Sequence, residues 1–252
     1  MESTGIIIVA GGSGRRAGGV RPKQFAFLAG MPVLARTINN FAAAMPGAEI
    51  VAVLPEQHIE FWKNLAARFD VAAHTVAAGG AERFDSVKNG LAALTTDPEL
   101  IAVQDGVRPL GTAGMIRRVA AAAALHGAAV PVVEAVDSFR ETEGEPDAEG
   151  VVPSRIVDRR RLRIVQTPQF FRAEVLRRAY ETEYRAEFTD DASVVEAAGY
   201  RVCLAEGERG NLKLTTPEDF TVAEALIAAR EEAGEEQATT DACLLYTSPS
   251  PR

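Results

Sequence analysis

Gly5-Ile-Ile-Ile-Val-Ala-Gly-Gly-Ser-Gly-Arg-Arg-Ala-Gly-Gly-Val-Arg-Pro-Lys-Gln24 is the stretch that decides how this chain folds. Its apolar run, Ile6 to Ala10, is bounded by glycine and too short for a helix, which predicts a fully buried strand of a parallel sheet. The loop that follows holds five glycines and four cations: Arg15, Arg16, Arg21 and Lys23. Glycine lets backbone N–H groups approach an anion closely, and the cations supply the charge to hold it. That is the chemistry of a polyphosphate cradle.

Outward from this loop, Pro32 to Met45, Glu56 to Phe69, Glu82 to Leu94 and Thr112 to His126 carry helical periodicity. Glu49 to Leu54, Val71 to Val76, Leu100 to Gln104 and Ala128 to Val133 read as strands. The alternation predicts an α/β fold, a doubly wound and mostly parallel sheet with helices on both faces. Ligands of such sheets bind at the carboxyl ends of the strands, where the loops at 11–24, 79–86 and 105–109 converge.

The rhythm breaks from Asp137 to Ile164. Two extended flanks around the turn-rich Gly144-Glu-Pro-Asp-Ala-Glu-Gly150 predict a projecting β-arm, with a surface loop as the alternative. A helix from Ala173 to Tyr184 follows, then a helix start at Thr189-Asp-Asp-Ala-Ser193 with Thr189 as its cap. Tyr200 to Ala205 reads as a strand and Pro217 to Arg230 as a closing helix. Residues 1–232 thus form one domain with the arm 137–164 inserted, and 233–252 read as a disordered tail.

At 252 residues, 47% hydrophobic and 25% charged, the chain can bury the core of one such domain. A net charge of −8 argues against a nucleic-acid surface, so cations gathered in one loop point to a local anionic ligand. Cys203 and Cys243 make no metal or disulfide pattern. No signal peptide or apolar span of membrane length is read from the sequence, so the expectation is a cytoplasmic protein that binds neither nucleic acid nor membrane.

Gly12-Ser-Gly14-Arg-Arg-Ala17 fits the dinucleotide pattern G-x-G-x-x-G/A after a strand. Yet Arg15, Arg16, two further glycines and Pro22 stand where that fold wants a helix, and no acidic residue ends a second strand about 20 residues on. A Walker loop is excluded, because G-x-x-x-x-G-K-[ST] does not occur.

Ala10-Gly-Gly-x-Gly-x-Arg16 with Pro22-Lys23-Gln24 instead resembles the signature of sugar-phosphate nucleotidylyltransferases. Further motifs follow in order: Gly79-Gly80-x-x-Arg83-x-x-Ser86-Val87, Asp105-x-x-Arg108-Pro109, Val157-Asp158-Arg159, Thr167-Pro-Gln-Phe-Phe171, Thr189-Asp-Asp-Ala-Ser193 and Lys213-x-Thr215-x-Pro217-Glu-Asp219. Over residues 5 to 230 the series resembles the 2-C-methyl-D-erythritol 4-phosphate cytidylyltransferase family. The resemblance implies a Rossmann-like nucleotidyltransferase fold and a magnesium-dependent transfer of CMP from CTP to 2-C-methyl-D-erythritol 4-phosphate, with release of pyrophosphate. It implies Arg16 and Lys23 as the catalytic residues that stabilise the triphosphate and its transition state. Ala10, Gly11, Gly12, Gly14, Gly80, Arg83, Ser86 and Asp105 would bind the nucleotide. Asp105, Arg108, Ser138, Arg159, Thr167, Thr189 and Lys213 would bind the second substrate, with Asp105 near the metal. Ser138 and Arg159 would come from the arm of a neighbouring subunit, making a homodimer.

Plainer readings stand beside these: Ser86 as a helix-start serine, Asp105 as a buried structural carboxylate, Arg108 as a helix cap. Arg159 lies in the run Arg159-Arg160-Arg161, so a neighbour can take its role. Three departures stand out. Ser138 replaces a common threonine, Gln104 stands where many relatives have histidine, and Gly106-Val107 replaces two alanines. Ribitol 5-phosphate is the alternative second substrate, and a nucleotide-binding module without activity is the alternative class.

Overall fold

The computed structural model describes residues 2–11 and 22–246, with residues 235–246 as backbone alone. In chain order the elements are β1 (Thr4–Val9), a 3-10 turn at Lys23–Phe25, β2 (Phe27–Leu28), β3 (Met31–Pro32), α1 (Val33–Ala44), β4 (Glu49–Leu54), α2 (Glu56–Ala66), β5 (Thr75–Ala78) and α3 (Arg83–Ala93). Then come β6 (Leu100–Asp105), α4 (Ala113–His126), β7 (Ala128–Glu134), β8 (Phe139–Thr142), β9 (Ser154–Val157), β10 (Arg163–Val165), β11 (Gln169–Arg172), α5 (Ala173–Ala179), α6 (Asp191–Ala197), β12 (Cys203–Glu206) and α7 (Pro217–Tyr246).

β1 can lie inside the sheet, between β4 and β6, because both of its faces are apolar. Ile6 and Ile8 join Ala52 and Ala102 in a core covered by α1, α2 and α4. Ile7 joins Val51, Val53, Ile101 and Val103 in a second core covered by α3, α5 and α6. Successive residues of a strand point to opposite faces, so one apolar run serves both layers. β1 lies parallel to β4 and β6, with Val9 opposite Val53 on one side and Asp105 on the other. β5 extends the parallel half.

The other half is mixed. β11 runs antiparallel to both β6 and β7, β10 runs antiparallel to β7, and β12 lies parallel to β7. The main sheet is therefore doubly wound and in part antiparallel, with strand order β10-β7-β11-β6-β1-β4-β5 and β12 on β7. α7 closes the end near the loops, with Ala223 and Ile227 packed on Leu28, Val33, Leu110 and Leu214. No helix among the described residues is long and apolar enough to cross a membrane.

Several elements differ from the sequence expectation. The strand expected at Val71 to Val76 starts only at Thr75. Asn39 on α1 takes the Ala72 N–H at 2.8 Å and donates to the Asp70 carbonyl at 2.7 Å, so that segment is tied to a helix instead of a ladder. α5 ends at Ala179 and not at Tyr184. α6 is capped by Asp190, not Thr189: the Ser193 N–H donates to Asp190 Oδ1 at 2.9 Å, and the Asp190 N–H donates to Ser193 Oγ at 3.3 Å. Within 137–164, β8 and β9 pair as a separate antiparallel hairpin, whereas Arg163 and Ile164 belong to β10 of the main sheet. α7 continues to Tyr246, into the span read as a disordered tail.

Gly90 sets how closely α3 lies on the sheet. A Cβ there would come within 2.5 Å of Ile7 Cγ2 and 3.0 Å of Val53 Cγ2, both in the packed core. Gly90→Ala should therefore lose about 1–3 kcal/mol to overpacking, against a helix-propensity gain of at most about 1 kcal/mol. A lowered urea midpoint with an unchanged m-value is the expected result; an unchanged midpoint would show that α3 can lift away freely.

Candidate active site

Asp105 ends β6 at the carboxyl edge of the sheet, and three cations surround it. Lys213 Nζ lies 2.9 Å from its Oδ2, Arg108 Nε lies 3.4 Å from the same oxygen, and Arg83 Nη2 lies 3.9 Å from its Oδ1. The Asp105 side chain is 13% exposed. Burial pushes the carboxyl upward, but Lys213, Arg83 and Arg108 together outweigh it and hold Asp105 below the usual aspartate range.

Each cation reaches Asp105 by a different route. Arg108 closes a turn, its N–H donating to the Asp105 carbonyl at 3.1 Å, and its guanidinium also donates to the Asn211 carbonyl at 2.9 Å. Burial lowers the Arg108 pKa despite its carboxylate neighbour. That second bond anchors the extended chain carrying Lys213, which is fixed further by the Leu214 N–H donating to the Val107 carbonyl at 2.9 Å. Arg83 is the first residue of α3, and its guanidinium grips the buried Asp191 through two bonds of 2.9 and 2.6 Å. Burial alone would lower its pKa; the Asp191 pair reverses that and raises it.

The expected nucleotide loops meet beside this cluster. The Ala10 N–H donates to the Val53 carbonyl at 2.9 Å, the Gly79 N–H to the Leu54 carbonyl at 2.7 Å and the Gly106 N–H to the Val9 carbonyl at 2.8 Å. Three loops are thus laced to the ends of neighbouring strands. Ser86 is buried, accepts from the Gly80 N–H at 3.1 Å and donates to the Glu82 carbonyl at 3.1 Å. It is not the cap of α3; Glu82 is, in a capping box with Asp85. Gly80 itself admits no side chain, since a Cβ would stand 2.2 Å from Asp85 Cβ.

Lys23 opens the 3-10 turn, and its ammonium donates to the Thr215 carbonyl, which joins this turn to the segment carrying Lys213. Gly12, Gly14 and Arg16 lie outside the described residues. Thr167 is buried and its hydroxyl accepts from the Asp105 N–H at 3.1 Å, so it reaches the cluster directly. Ser138, Arg159 and Thr189 are exposed, and no hydrogen bond or ion pair among the described residues ties them to Asp105. Arg159 donates instead to the Val136 carbonyl at the base of the arm.

Four polar residues of the site have no binding or catalytic role in the sequence reading, although Asp191 is expected there to suit the positive end of the α6 dipole. Gln24 donates to the Ala10 carbonyl at 2.8 Å, and Asn211 donates to the Thr167 carbonyl at 2.9 Å. Gln169 bridges β11 and α6, taking the Ala192 N–H at 2.9 Å and donating to Asp190 at 2.8 Å. Asp191 is the fourth. The available signal was a polar residue within or beside the motifs, placed where its neighbours are buried.

Magnesium, implied by the resemblance, can be set against these groups. No cluster of three His, Cys, Asp or Glu residues suited to a metal occurs among the described residues. Asp105 offers one carboxylate, with Oδ2 contacted by Lys213 at 2.9 Å and Oδ1 lying 3.9 Å from Arg83 Nη2. One carboxylate with the remaining ligands from phosphate and water is an ordinary magnesium site, so the residues fit an ion that arrives on the nucleotide.

A model of the family described as IspD, 2-C-methyl-D-erythritol 4-phosphate cytidylyltransferase, matches residues 4–229. A relative bearing that enzyme name from Bacteroides thetaiotaomicron is 46% identical over 223 residues, covering 88% of this chain and 98% of its own length. Another so named, from Carboxydothermus hydrogenoformans, is 38% identical and covers 90% and 96%. Among solved structures, the 2-C-methyl-D-erythritol 4-phosphate cytidylyltransferase of Thermus thermophilus has a TM-score of 0.69 at 34% identity, covering 90% of this chain and 98% of that one. The 4-diphosphocytidyl-2C-methyl-D-erythritol synthase of Anaerococcus prevotii has a TM-score of 0.73 at 25% identity, covering 90% and 99%.

Removing the central carboxylate tests the electrostatics. Asp105→Asn leaves three cations facing one another and should cost about 3 kcal/mol at pH 7, the low end for breaking a buried pair. A depressed folded pKa gives stability that is complete above the unfolded value near 3.9 and is lost as pH falls through the folded value. The stability gap between wild type and Asp105→Asn should therefore be constant from pH 5 to 8 and close below about pH 4. A gap that already narrows at pH 6 would contradict the depressed pKa.

Proposed function

The chain belongs to the 2-C-methyl-D-erythritol 4-phosphate cytidylyltransferase family, and we propose from that premise how its residues divide the reaction. The protein transfers CMP from CTP to 2-C-methyl-D-erythritol 4-phosphate, giving 4-diphosphocytidyl-2-C-methyl-D-erythritol and pyrophosphate. A phosphate oxygen of the polyol bonds to the α-phosphorus. The bond from that phosphorus to the bridging oxygen breaks, and pyrophosphate leaves with its electron pair. The polyol phosphate, with a second pKa near 6, is already mostly a dianion at pH 7, so no strong general base is needed. The work is to bring two anions together and stabilise charge at the α-phosphorus.

The observation that carries this reading is the convergence on Asp105 of Lys213, Arg108 and Arg83, with Lys23 bound to the neighbouring Thr215 carbonyl. Lys23 and Arg16 stabilise the triphosphate and its transition state. Ala10, Gly11, Gly12, Gly14, Gly80 and Ser86 bind the nucleotide. Asp105, Thr167, Thr189 and Lys213 hold the polyol phosphate, and Arg108 fixes the segment carrying Lys213. Magnesium, when bound, neutralises phosphate charge, and Asp105 would hold it.

The arm docks on a second copy of the chain and carries Ser138 and Arg159 to the partner's substrate site. Val136, Val151 and Ile156 on the arm and its base are exposed apolar residues at 54, 60 and 68%, which suits such burial. The cell compartment that fits these substrates is the cytoplasm.

Lys23→Ala should lower turnover by about 10²- to 10³-fold, as for the loss of one transition-state donor, with CTP affinity changed far less. Equal turnover would remove Lys23 from the catalytic set. In a pyrophosphate-release assay, turnover with ribitol 5-phosphate alone would overturn the second substrate, and none with either polyol phosphate would leave a nucleotide-binding module. Replacing residues 141–155 by a tight turn should give a monomer that binds CTP without turnover. A fully active monomer would refute the shared site.

A further inference from the structure

We infer that Asp191 is a positioning residue for the transfer reaction, holding Arg83 in a fixed orientation beside Asp105; the inference rests on the reading of Asp105 as a substrate-side group. Asp191 is fully buried. Its two oxygens take both terminal nitrogens of Arg83, at 2.9 and 2.6 Å, and Oδ1 also accepts from the Tyr180 hydroxyl at 2.6 Å. Tyr180 stacks on Phe84, the next residue of α3, with ring centroids 4.7 Å apart. Both ends of the linkage are therefore packed, and the guanidinium has no freedom to swing.

This geometry separates Arg83 from the role its motif suggests. A guanidinium recognises phosphate best through two parallel N–H groups, and Asp191 already uses that edge. Nη2, besides its 2.6 Å bond to Asp191, lies 3.9 Å from Asp105 Oδ1. Lys213 is different: its side chain is 48% exposed, and it contacts the other oxygen. An incoming phosphate can draw Lys213 away, whereas Arg83 stays. Asp105 then keeps a neighbouring cation and its orientation at the moment its mobile partner turns to the substrate.

Stability alone does not account for the pair. A buried ion pair is commonly no more stabilising than an apolar pair of similar volume, because desolvation offsets the attraction. A carboxylate withdrawn wholly from water to grip an arginine at the edge of a site is explained by what that arginine must face.

The test varies both substrates in steady-state kinetics on wild type, Arg83→Met/Asp191→Asn and Tyr180→Phe, with thermal melts to establish folding. The double variant buries no unpaired charge and retains an acceptor for Tyr180. Expected is a folded protein whose kcat falls roughly ten- to hundredfold, the scale for a slightly misplaced group, with KM raised for the polyol phosphate and within about twofold for CTP. Tyr180→Phe keeps the ring and removes one bond, and should shift the same parameters in the same direction by a few-fold. A folded double variant with wild-type kinetics overturns the inference, as does a rise confined to KM for CTP, which would make Arg83 a nucleotide ligand. Should the double variant fail to fold, unchanged kinetics in Tyr180→Phe overturn it instead. Inactivity of the wild type with these substrates would sink the proposed function, a result distinct from all of these.

Discussion

Asp105 is a single carboxylate set among three cations drawn from residues 83, 108 and 213. Without it, a helix start, a turn and an extended segment would each bring a positive charge into the same few ångströms, where like charges repel strongly at low effective dielectric. With it, and with Asp191 bound to Arg83, the five groups retain one net positive charge. That balance is tight enough to fold and still inviting to phosphate. The same balance explains the pKa directions: burial works against the Asp105 charge, and its neighbours restore it.

The sheet makes the cluster possible. After β5 the chain crosses on α3, over the opposite face from α1 and α2, and returns beside β1 as β6. A topological switch point therefore lies between β1 and β6, and both strands end there in loops. Their register puts Val9 beside Asp105, so the glycine loop and the carboxylate start from the same level. β11 then enters antiparallel on the other side of β6 and delivers Thr167 to the Asp105 N–H. A wholly parallel sheet would bring only strand ends to this edge. The antiparallel strand adds a strand beginning, and with it a residue from a distant part of the sequence.

Much of this was legible because buried parallel strands and amphipathic helices write strong periodicities. Ile6 to Ala10, Glu49 to Leu54 and Leu100 to Gln104 match the observed strands to within a residue or two. What was not legible depended on side chains acting at a distance. Nothing local shows that Asn39 will claim Ala72 and Asp70, which delays β5. Nothing local decides between Thr189 and Asp190 as cap, since both are good acceptors; Gln169 donating to Asp190 favours the second. For the site, residue types in order sufficed to propose Asp105, Lys213 and Lys23. They could not reveal that Arg83 is already committed to a buried partner 108 positions away.

The departures Gln104 and Gly106 are explained at the same turn. Gln104 is buried, and its side-chain amide donates to the Arg108 carbonyl at 2.9 Å, clasping the turn that also closes from the Arg108 N–H to the Asp105 carbonyl. The Gly106 carbonyl accepts from Thr37 on α1 at 3.2 Å, while its N–H is held by Val9. Both residues therefore serve to fix the angle at which Arg108 meets Asp105. A histidine at 104 would add to this turn a group that titrates between pH 5 and 8, whereas an amide carries no proton to lose. The charge balance around Asp105 then depends on the cations facing it and on the phosphate that arrives, and chemistry that needs no titrating base loses nothing by the exchange.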